Sequence, residues 1–328
     1  MNTRPRIVIT RRIPDNGIEL LRKHFVIDVN KTEKNLSRRE LLRRLEGAFG
    51  AVTVLSDAFD RELIGKLTTV RVISNFAVGY NNIDIKAATE KGIVVTNTPG
   101  VLTEATADMA IGLLLAVARR IVEGDRMVRK GKFRGWAPLF MPGHEVSGKT
   151  IGIIGAGRIG GAVASRARGF GMKVLYYSRR RNAEVDSLGG EFVPLRKLLR
   201  ESDFVSLNVP LSDETRNLIG KRELKMMKPM AILVNTARGE VVDESALISA
   251  LKGGKIGGAG LDVYVDEPNI NPGFFSLENV VLAPHLGSST LETRARMAEL
   301  AALNAIAVLK GRRPPSVVNQ EVMELSEI

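Results

Sequence analysis

The fold is decided by residues 150–178, which read TIGIIGAGRIGGAVASRARGFGMKVLYYS. An apolar, β-favouring run at Ile151–Ile154 leads into a glycine-rich turn. Small and apolar residues then recur at helical spacing, and Val174–Tyr177 forms a second short strand. This order of strand, glycine turn, helix and strand is typical of a parallel sheet whose helices cover both faces.

The turn spaces three glycines as GxGxxG, at Gly155, Gly157 and Gly160. The first glycine permits a tight turn, the second allows the backbone to approach a pyrophosphate, and the third lets the helix pack closely on the sheet. The helix N-terminus offers unpaired N–H groups and the positive end of its dipole to the phosphates. We therefore predict dinucleotide binding by the residues of this turn, namely Gly155, Ala156, Gly157, Arg158, Ile159 and Gly160.

The residues that follow the second strand indicate which dinucleotide binds. Sites selective for NAD usually carry Asp or Glu here, which holds the ribose 2′-hydroxyl. This chain instead has Ser178, Arg179 and Arg180, followed by Arg181. Guanidinium groups suit a phosphate dianion, although charge runs are usually solvated surface. We predict NADPH as the cofactor, bound by Ser178, Arg179 and Arg180, with NADH less preferred.

Composition narrows the class of protein. The 328 residues, 44% of them hydrophobic, suit two α/β domains. The 48 Lys and Arg exceed the 36 Asp and Glu and give a formal net charge of +12, but they are spread along the chain without a nucleic-acid-binding motif. We therefore expect anionic metabolites rather than nucleic acid as partners. The lack of cysteine excludes disulfides, thiol catalysis and cysteine–zinc sites, and we predict no metal.

No segment has the pattern of a membrane helix or a secretory signal. The longest apolar stretch, Met109–Ala118, is much shorter than the ~20 residues that a bilayer requires. Arg11 interrupts the apolar run near the start of the chain. We predict a cytoplasmic protein with no membrane partner.

Strand and helix patterns alternate on both sides of a break at Thr98-Pro99-Gly100. A long helix follows the break, from Thr103 to Arg120, and a final helix spans Leu291–Lys310. We predict strands at Arg6–Thr10, Val26–Val29, Ala51–Leu55, Val72–Asn75 and Val94–Asn97, and after the glycine turn at Phe204–Asn208, Ala231–Asn235, Gly258–Asp262 and Val280–Ala283.

These patterns predict two doubly wound parallel-sheet domains, Rossmann- or flavodoxin-like, with the reaction in a cleft between them. The final helix is expected to cross back to the first domain. Residues 1–99 and 290–328 would then form a discontinuous substrate-binding (catalytic) domain, and residues 100–289 a dinucleotide-binding Rossmann domain.

Three loops that follow predicted strands carry side chains suited to hydride-transfer chemistry. Such chemistry requires a group that holds an anionic substrate and a group that moves a proton at the reacting carbon's oxygen. Open α/β sheets bind their ligands at the carboxyl ends of the strands. Arg238, Glu267 and His285 stand at three such ends. Taken singly, Arg238 fits a structural ion pair equally well, and His285 fits a core histidine.

Taken together, these loops resemble those of the D-isomer-specific 2-hydroxyacid dehydrogenases. The resemblance covers nearly the whole chain through segments in the family's order: Asn75–Asp84, the glycine turn, Val209–Thr215, Asn235–Gly239, Leu261–Pro268 and Pro284–Ser288. It implies a two-domain architecture and a homodimer built largely through the cofactor domain. It also implies a catalytic set of Arg238, Glu267 and His285.

The resemblance implies a role for each catalytic group. Arg238 would hold the carboxylate and carbonyl oxygen of a 2-oxo acid. His285 would be the general acid in reduction and the base in oxidation, while Glu267 hydrogen-bonds its other ring nitrogen. Backbone N–H groups of Val78 and Gly79 would take the substrate carboxylate.

The same resemblance implies further contacts with the cofactor and the substrate. Asp262 would hold the nicotinamide carboxamide. The other implied cofactor contacts around the nicotinamide are Thr236, Ala237 and Gly287. On the adenosine and ribose side they are Val209, Pro210 and Thr215. The other implied substrate contacts are Leu55 and Ser288.

Within the family, the chain is most similar to the glyoxylate/hydroxypyruvate reductases. Ser178-Arg179-Arg180 looks like their NADPH-preferring form, and Trp136-Ala137-Pro138 resembles a Trp-x-Pro segment that reaches toward the partner's substrate site. Trp136 is equally compatible with ordinary interface packing.

The expected activity is therefore NADPH-preferring reduction of glyoxylate to glycolate and of hydroxypyruvate to D-glycerate. Reduction of another 2-oxo acid, such as 2-ketogluconate, or a D-lactate-type dehydrogenase is the main alternative. A dinucleotide-sensing, corepressor-like binding protein is a third alternative, because a fold does not by itself imply activity.

Overall fold

The structure, a computed structural model, describes residues 4–324. The chain forms two compact units: residues up to Leu102 join those from Thr290 onward, and Thr103–Ser289 form the other unit. The first unit contains a five-stranded sheet and the second a seven-stranded sheet, and every strand pairing is parallel. The prediction of two parallel-sheet α/β domains is confirmed.

The strands are short and mostly buried, as expected where helices cover both faces of a parallel sheet. They are β1 (Arg6–Ile9), β2 (Val26–Val29), β3 (Gly50–Thr53), β4 (Val72–Asn75), β5 (Val94–Thr96), β6 (Thr150–Ile154), β7 (Lys173–Tyr177), β8 (Glu191–Phe192), β9 (Phe204–Leu207), β10 (Ile232–Asn235), β11 (Gly258–Leu261) and β12 (Val280–Leu282).

The helices alternate with these strands along most of the chain. They are α1 (Asp15–Arg22), α2 (Arg38–Leu45), α3 (Arg61–Gly65), α4 (Ile85–Glu90), α5 (Thr103–Ala118), α6 (Ile121–Arg129), α7 (Arg158–Gly169), α8 (Ala183–Ser187), α9 (Leu195–Glu201), α10 (Lys221–Leu224), α11 (Glu244–Lys252), α12 (Leu291–Leu309) and α13 (Glu321–Glu324). Within residues 4–324, no helix is both long enough and apolar enough to cross a membrane.

The helix predicted from Thr103 to Arg120 ends earlier, at Ala118. The backbone N–H of His144 donates to the Ala118 carbonyl at 2.7 Å, and a Cβ on Gly143 would lie 2.5 Å from the same oxygen. A distant segment therefore covers the helix end. Arg120 then adopts a left-handed φ of 54°, and α6 begins at Ile121.

In the first unit the strand order is β2-β1-β3-β4-β5, and α12 packs on this sheet and on α1. The contact with α1 is close, because a Cβ on Gly17 would lie 2.6 Å from the Ala298 carbonyl oxygen. Ser74 on β4 donates to the Ala301 carbonyl of α12 at 2.9 Å. The buried hydroxyl therefore links the helix to β4, next to the edge strand β5.

In the second unit the strand order is β12-β11-β10-β9-β6-β7-β8. The chain runs outward from β6 through β7 and β8, then returns to β9 on the other side of β6. Ligands of open α/β sheets bind beside such a reversal, at the carboxyl ends of the strands. The glycine turn follows β6, so it lies at this point.

Candidate active site

Almost every predicted site residue lies at the carboxyl end of a parallel strand. In the second unit they follow β6, β7, β9, β10, β11 and β12. In the first unit Leu55 follows β3, and Val78 and Gly79 follow β4. Trp136 is the exception, because it lies between α6 and β6 and is 83% exposed.

The glycine turn after β6 has two glycines that the fold itself requires. Gly155 has a φ of 93°, and its Cβ would lie 2.7 Å from the Asn208 carbonyl oxygen. A Cβ on Gly160 would lie 2.0 Å from the Gly155 carbonyl oxygen. Gly157 differs, since its φ is −82° and a Cβ there would meet nothing within 4 Å. The space beside Gly157 is therefore open to a ligand.

The groups around this turn fit a dinucleotide. Gly157 is the N-cap of α7, and no side chain among residues 4–324 caps the helix. Its first N–H groups can therefore bind phosphate oxygens. The buried Asn208 Oδ1 and Thr236 Oγ1, at the ends of β9 and β10, have no hydrogen-bond partner among residues 4–324. Buried polar atoms normally have partners, so these two are suited to a ligand.

The loop after β7 presents two unpaired arginines. Arg179 and Arg180 are exposed and form no ion pair within the described part of the chain. Ser178 donates through its hydroxyl to the Arg180 carbonyl. Arg181, by contrast, pairs with Asp186 at 3.3 Å and lies over the Phe192 ring. Two of the three guanidinium groups therefore remain for an anion.

Asn182 connects this arginine loop to the glycine turn, and we did not predict it. Its Nδ2 donates to the Ala156 carbonyl at 2.7 Å, and its Oδ1 accepts from the backbone N–H groups of Glu184 and Val185. Its own backbone N–H donates to the Tyr176 hydroxyl at 3.1 Å. An asparagine before a short helix was the available sequence signal, since Asn is a favoured N-cap.

Glu267 and His285 form a hydrogen-bonded pair. Glu267 Oε2 lies 2.7 Å from His285 Nδ1, and each side chain is about one third exposed, at 34% and 31%. The other oxygen, Oε1, accepts from the Tyr264 backbone N–H at 3.0 Å. Burial raises the pKa of Glu267, but the His285 hydrogen bond and charge outweigh it and hold the pKa below its ordinary value. An ionised Glu267 fixes the proton of His285 on Nδ1, which leaves Nε2 for a substrate.

The loop that carries His285 has an unusual backbone, which Asp262 stabilises. His285 has a left-handed φ of 55°. Asp262 Oδ1 accepts from the Leu286 N–H at 2.6 Å, and its Oδ2 accepts from the Gly287 N–H at 2.7 Å. The His285 N–H donates to the Asp262 carbonyl at 3.0 Å. This anchoring contact of Asp262 is additional to the carboxamide contact that the family resemblance implies.

Arg238 carries a charge that no carboxylate of residues 4–324 contacts directly. Its Nη1 donates to the Ala237 carbonyl at 2.7 Å, and it forms no ion pair with any residue that the structure describes. Burial lowers the pKa of Arg238, while the charges of Glu267 and Glu240 oppose this shift. Asn235 Nδ2 donates to the Arg238 carbonyl at 2.8 Å and orders the turn. The remaining guanidinium donors are therefore available to an anionic ligand.

In the first unit, two asparagines order the loop at Val78 and Gly79. Asn97 Nδ2 donates to the Val78 carbonyl and Asn75 Nδ2 donates to the Gly79 carbonyl, both at 2.8 Å. Between positions 4 and 324, no acceptor takes the N–H of Val78 or Gly79. The loop therefore presents two backbone donors. The resemblance implied the donors, but it did not single out Asn97.

The remaining predicted residues lie beside these groups. Thr215 donates to the Pro210 carbonyl at 2.6 Å, which closes the loop that also contains Val209. Ser288 follows Gly287 and is partly buried, as is Leu55 after β3. In the part of the chain that the structure describes, no group of three or more His, Asp or Glu side chains could hold a metal ion.

Comparison with known proteins identifies the family. The family described as "D-isomer specific 2-hydroxyacid dehydrogenase, NAD binding domain" matches residues 111–287. A glyoxylate reductase of Thermococcus gammatolerans is 54% identical over 329 residues, which cover 99% of this chain and 98% of that protein.

Two solved structures have closely similar folds. The TT0316 protein of Thermus thermophilus has a TM-score of 0.91 and 45% identity over 95% of this chain and 99% of that chain. An NADPH-dependent glyoxylate/hydroxypyruvate reductase from Sinorhizobium meliloti, in complex with NADP and malonate, has a TM-score of 0.88 and 32% identity over 97% of this chain and 98% of that chain. The chain therefore belongs to the D-isomer-specific 2-hydroxyacid dehydrogenases and is an NAD(P)-dependent oxidoreductase.

Proposed function

We propose that this protein is an NADPH-preferring reductase that converts glyoxylate to glycolate and hydroxypyruvate to D-glycerate. One observation carries the proposal. The unpaired Arg238 guanidinium follows β10, and the Glu267–His285 pair follows the two strands next to it in the sheet, β11 and β12. One cation that can hold a carboxylate and one imidazole that can donate a proton are the groups that reduction of a 2-oxo acid requires. The names of the similar proteins support this choice of substrate.

In this proposal the two units divide the work. The first, residues 1–99 with 290–328, binds the substrate carboxylate through the N–H groups of Val78 and Gly79. The second, residues 100–289, binds the dinucleotide at the glycine turn. Both sets of groups follow the carboxyl ends of parallel strands, where open α/β sheets bind ligands.

The proposed reduction uses the guanidinium donors of Arg238 and the Nε2 atom of His285. Arg238 orients the substrate through its carboxylate and polarises the carbonyl. A bound nicotinamide dinucleotide supplies the hydride. His285 donates a proton from Nε2 to the carbonyl oxygen, and Glu267 keeps the ring oriented through its hydrogen bond to Nδ1. Asp262 contributes by holding the backbone on which His285 stands.

The preference for NADPH rests on the loop after β7. Arg179 and Arg180 are exposed and unpaired, and no carboxylate occupies the position that would hold a ribose 2′-hydroxyl. A 2′-phosphate can form charge-assisted hydrogen bonds with both guanidinium groups. NADH lacks this phosphate, so we expect it to bind less tightly.

We also propose a homodimer formed through the second unit. The segment between α6 and β6 exposes Phe133, Trp136, Leu139 and Phe140. Exposed apolar side chains concentrated in one segment are typical of an interface. Light scattering should give twice the 35.7 kDa chain mass.

The assay that tests the activity measures loss of NADPH and of NADH absorbance with glyoxylate, hydroxypyruvate, pyruvate and 2-ketogluconate. We expect the fastest turnover with NADPH and the two small substrates. Faster turnover with 2-ketogluconate would replace the proposed substrate, and equal rates with NADH would contradict the proposed cofactor preference. Tight dinucleotide binding without turnover of any 2-oxo acid would instead favour a sensing role.

A further inference from the structure

We infer that Glu244 is a positioning residue that holds the loop carrying Glu267 in the geometry required for its pairing with His285. Glu244 lies in the first turn of α11, and its Oε1 accepts from the Val265 backbone N–H at 2.9 Å. Val265 precedes Glu267 by two residues in an irregular loop after β11. The inference rests on the roles proposed above for Glu267 and His285.

The start of α11, which carries Glu244, is held in place by several contacts. Asp243 caps α11 by accepting from the Ala246 N–H at 3.0 Å, and its own N–H donates to the Ile219 carbonyl at 3.0 Å. Leu247 and Leu251 anchor the helix in the buried core. Because the helix start is fixed in this way, the Glu244 carboxylate is a fixed acceptor for the loop.

The loop after β11, which contains Val265 and Glu267, has little regular structure of its own. Val265 is exposed, and the Val265 N–H is not part of a strand ladder. Glu267 reaches back to the Tyr264 N–H with one oxygen and holds His285 with the other. A shift of the backbone at Val265 would therefore move the carboxylate that orients His285. Glu244 acts on the side chain pair through this backbone, without touching His285.

Two further contacts limit the directions in which the loop can move. A Cβ on Gly239 would lie 2.0 Å from the carbonyl carbon of Tyr264, so the turn after Arg238 lies directly against the loop. The Tyr264 hydroxyl donates to the Ala283 carbonyl at 2.9 Å, which connects the loop to the end of β12. Gly239 packs against the Tyr264–Val265 peptide, with its Cβ position 2.3 Å from the Val265 nitrogen, and Glu244 adds the hydrogen bond that holds the Val265 N–H.

The experiment compares four test variants with the unmodified protein, namely Glu244→Ala, Glu244→Asp, Glu244→Gln and Glu201→Ala. His285→Gln and Glu267→Gln serve as two spectral references. Alanine removes the acceptor. Aspartate keeps the charge but is one methylene too short to reach Val265. Glutamine keeps the length and an acceptor oxygen without the charge. Glu201 is an exposed glutamate at the end of α9, in the same unit, and serves as the matched control.

The first readout is the imidazole nitrogen NMR spectrum, which does not depend on activity. The chain has three histidines, so His285→Gln assigns the His285 signals directly. We expect the His285 Nδ1 signal to move in Glu244→Ala and Glu244→Asp toward its position in Glu267→Gln. It should stay near its original position in Glu244→Gln and Glu201→Ala. The signals of His24 and His144 should not move in any of them.

The second readout is steady-state kinetics. We expect kcat to fall about tenfold in Glu244→Ala and Glu244→Asp, because a displaced proton donor lowers turnover even where binding persists. The KM for the dinucleotide should change little, and Glu244→Gln should recover most of the lost turnover. Unchanged His285 signals in Glu244→Ala, or a Glu244→Gln variant that behaves like Glu244→Ala, would overturn the inference. Lack of activity in the unmodified protein would refute the proposed function alone, since the NMR comparison would still test the contact.

Discussion

The loops after β10, β11 and β12 lie along the same edge of one sheet as the loop after β7, but they are held differently. In the first three, buried or partly buried side chains hold the backbone: Asn235 in the Arg238 loop, Glu244 at Val265 and Asp262 in the His285 loop. In the loop after β7, Arg181 pairs with Asp186 and Asn182 bonds to Ala156, whereas the guanidinium groups of Arg179 and Arg180 are exposed and form no ion pair within residues 4–324. Proton transfer requires closely positioned groups, whereas exposed positive charge can attract a phosphate from solution.

The largest effect should come from His285, in the loop after β12. Replacing His285 with Gln removes the proposed proton donor but keeps a side chain of similar polarity. We expect kcat/KM for glyoxylate to fall about 10²- to 10⁴-fold, since this is the usual contribution of general acid–base catalysis. Fluorescence titration should show NADPH binding close to that of the unmodified protein. A variant that keeps full turnover would show that another group donates the proton.

An intermediate effect should come from the loop after β7. Replacing both Arg179 and Arg180 with Ser removes the two unpaired charges. We expect the KM for NADPH to rise about tenfold or more, because two charge-assisted hydrogen bonds to a phosphate are lost. The KM for NADH should change little. The matched control is Arg181→Ser, which removes an arginine already paired with Asp186. An equal loss for both dinucleotides would contradict the proposed selectivity.

The smallest effect concerns the contribution of the Glu267 carboxylate to the pH dependence of folding stability. The folded protein holds the pKa of Glu267 below its ordinary value. The ionised carboxylate therefore stabilises the fold above its unfolded pKa of about 4.3, and this contribution is lost as the pH falls through the lower folded value. Because the pair is about one third exposed, solvent screening limits the contribution to a few tenths of a kcal/mol.

Urea unfolding of the unmodified protein and of Glu267→Gln at several pH values measures this contribution. We expect the difference in unfolding free energy to be largest near neutral pH and to shrink below about pH 4. A difference that grows on acidification would have the opposite sign and would contradict the lowered pKa.

The parts of the site that could be predicted from sequence are those whose signal is local. The glycine turn is an example, because Gly155 and Gly160 contact residues that the same strand–turn–helix unit or its neighbouring strand brings close. The strand-end positions of Arg238, Glu267 and His285 are another, since a parallel sheet places all carboxyl ends at one edge. The predicted end of the helix from Thr103 was wrong, because the segment at Gly143 and His144 that covers Ala118 is remote in the chain.

The class of fold, the dinucleotide turn and the residue types available for catalysis could be recognised from the order of amino acids alone. Periodicity and glycine spacing are properties of neighbouring residues, so they can be recognised along the chain. Which side chains hold the reacting loops depends on how distant parts of the chain meet in the folded protein. The side chains of Asp262, Glu244 and Asn182 form hydrogen bonds with backbone atoms that lie 24, 21 and 26 residues away in the chain. Because every residue except proline has the same N–H donor and every residue has a carbonyl acceptor, such partners carry no sequence signature and emerge only when the chain is folded.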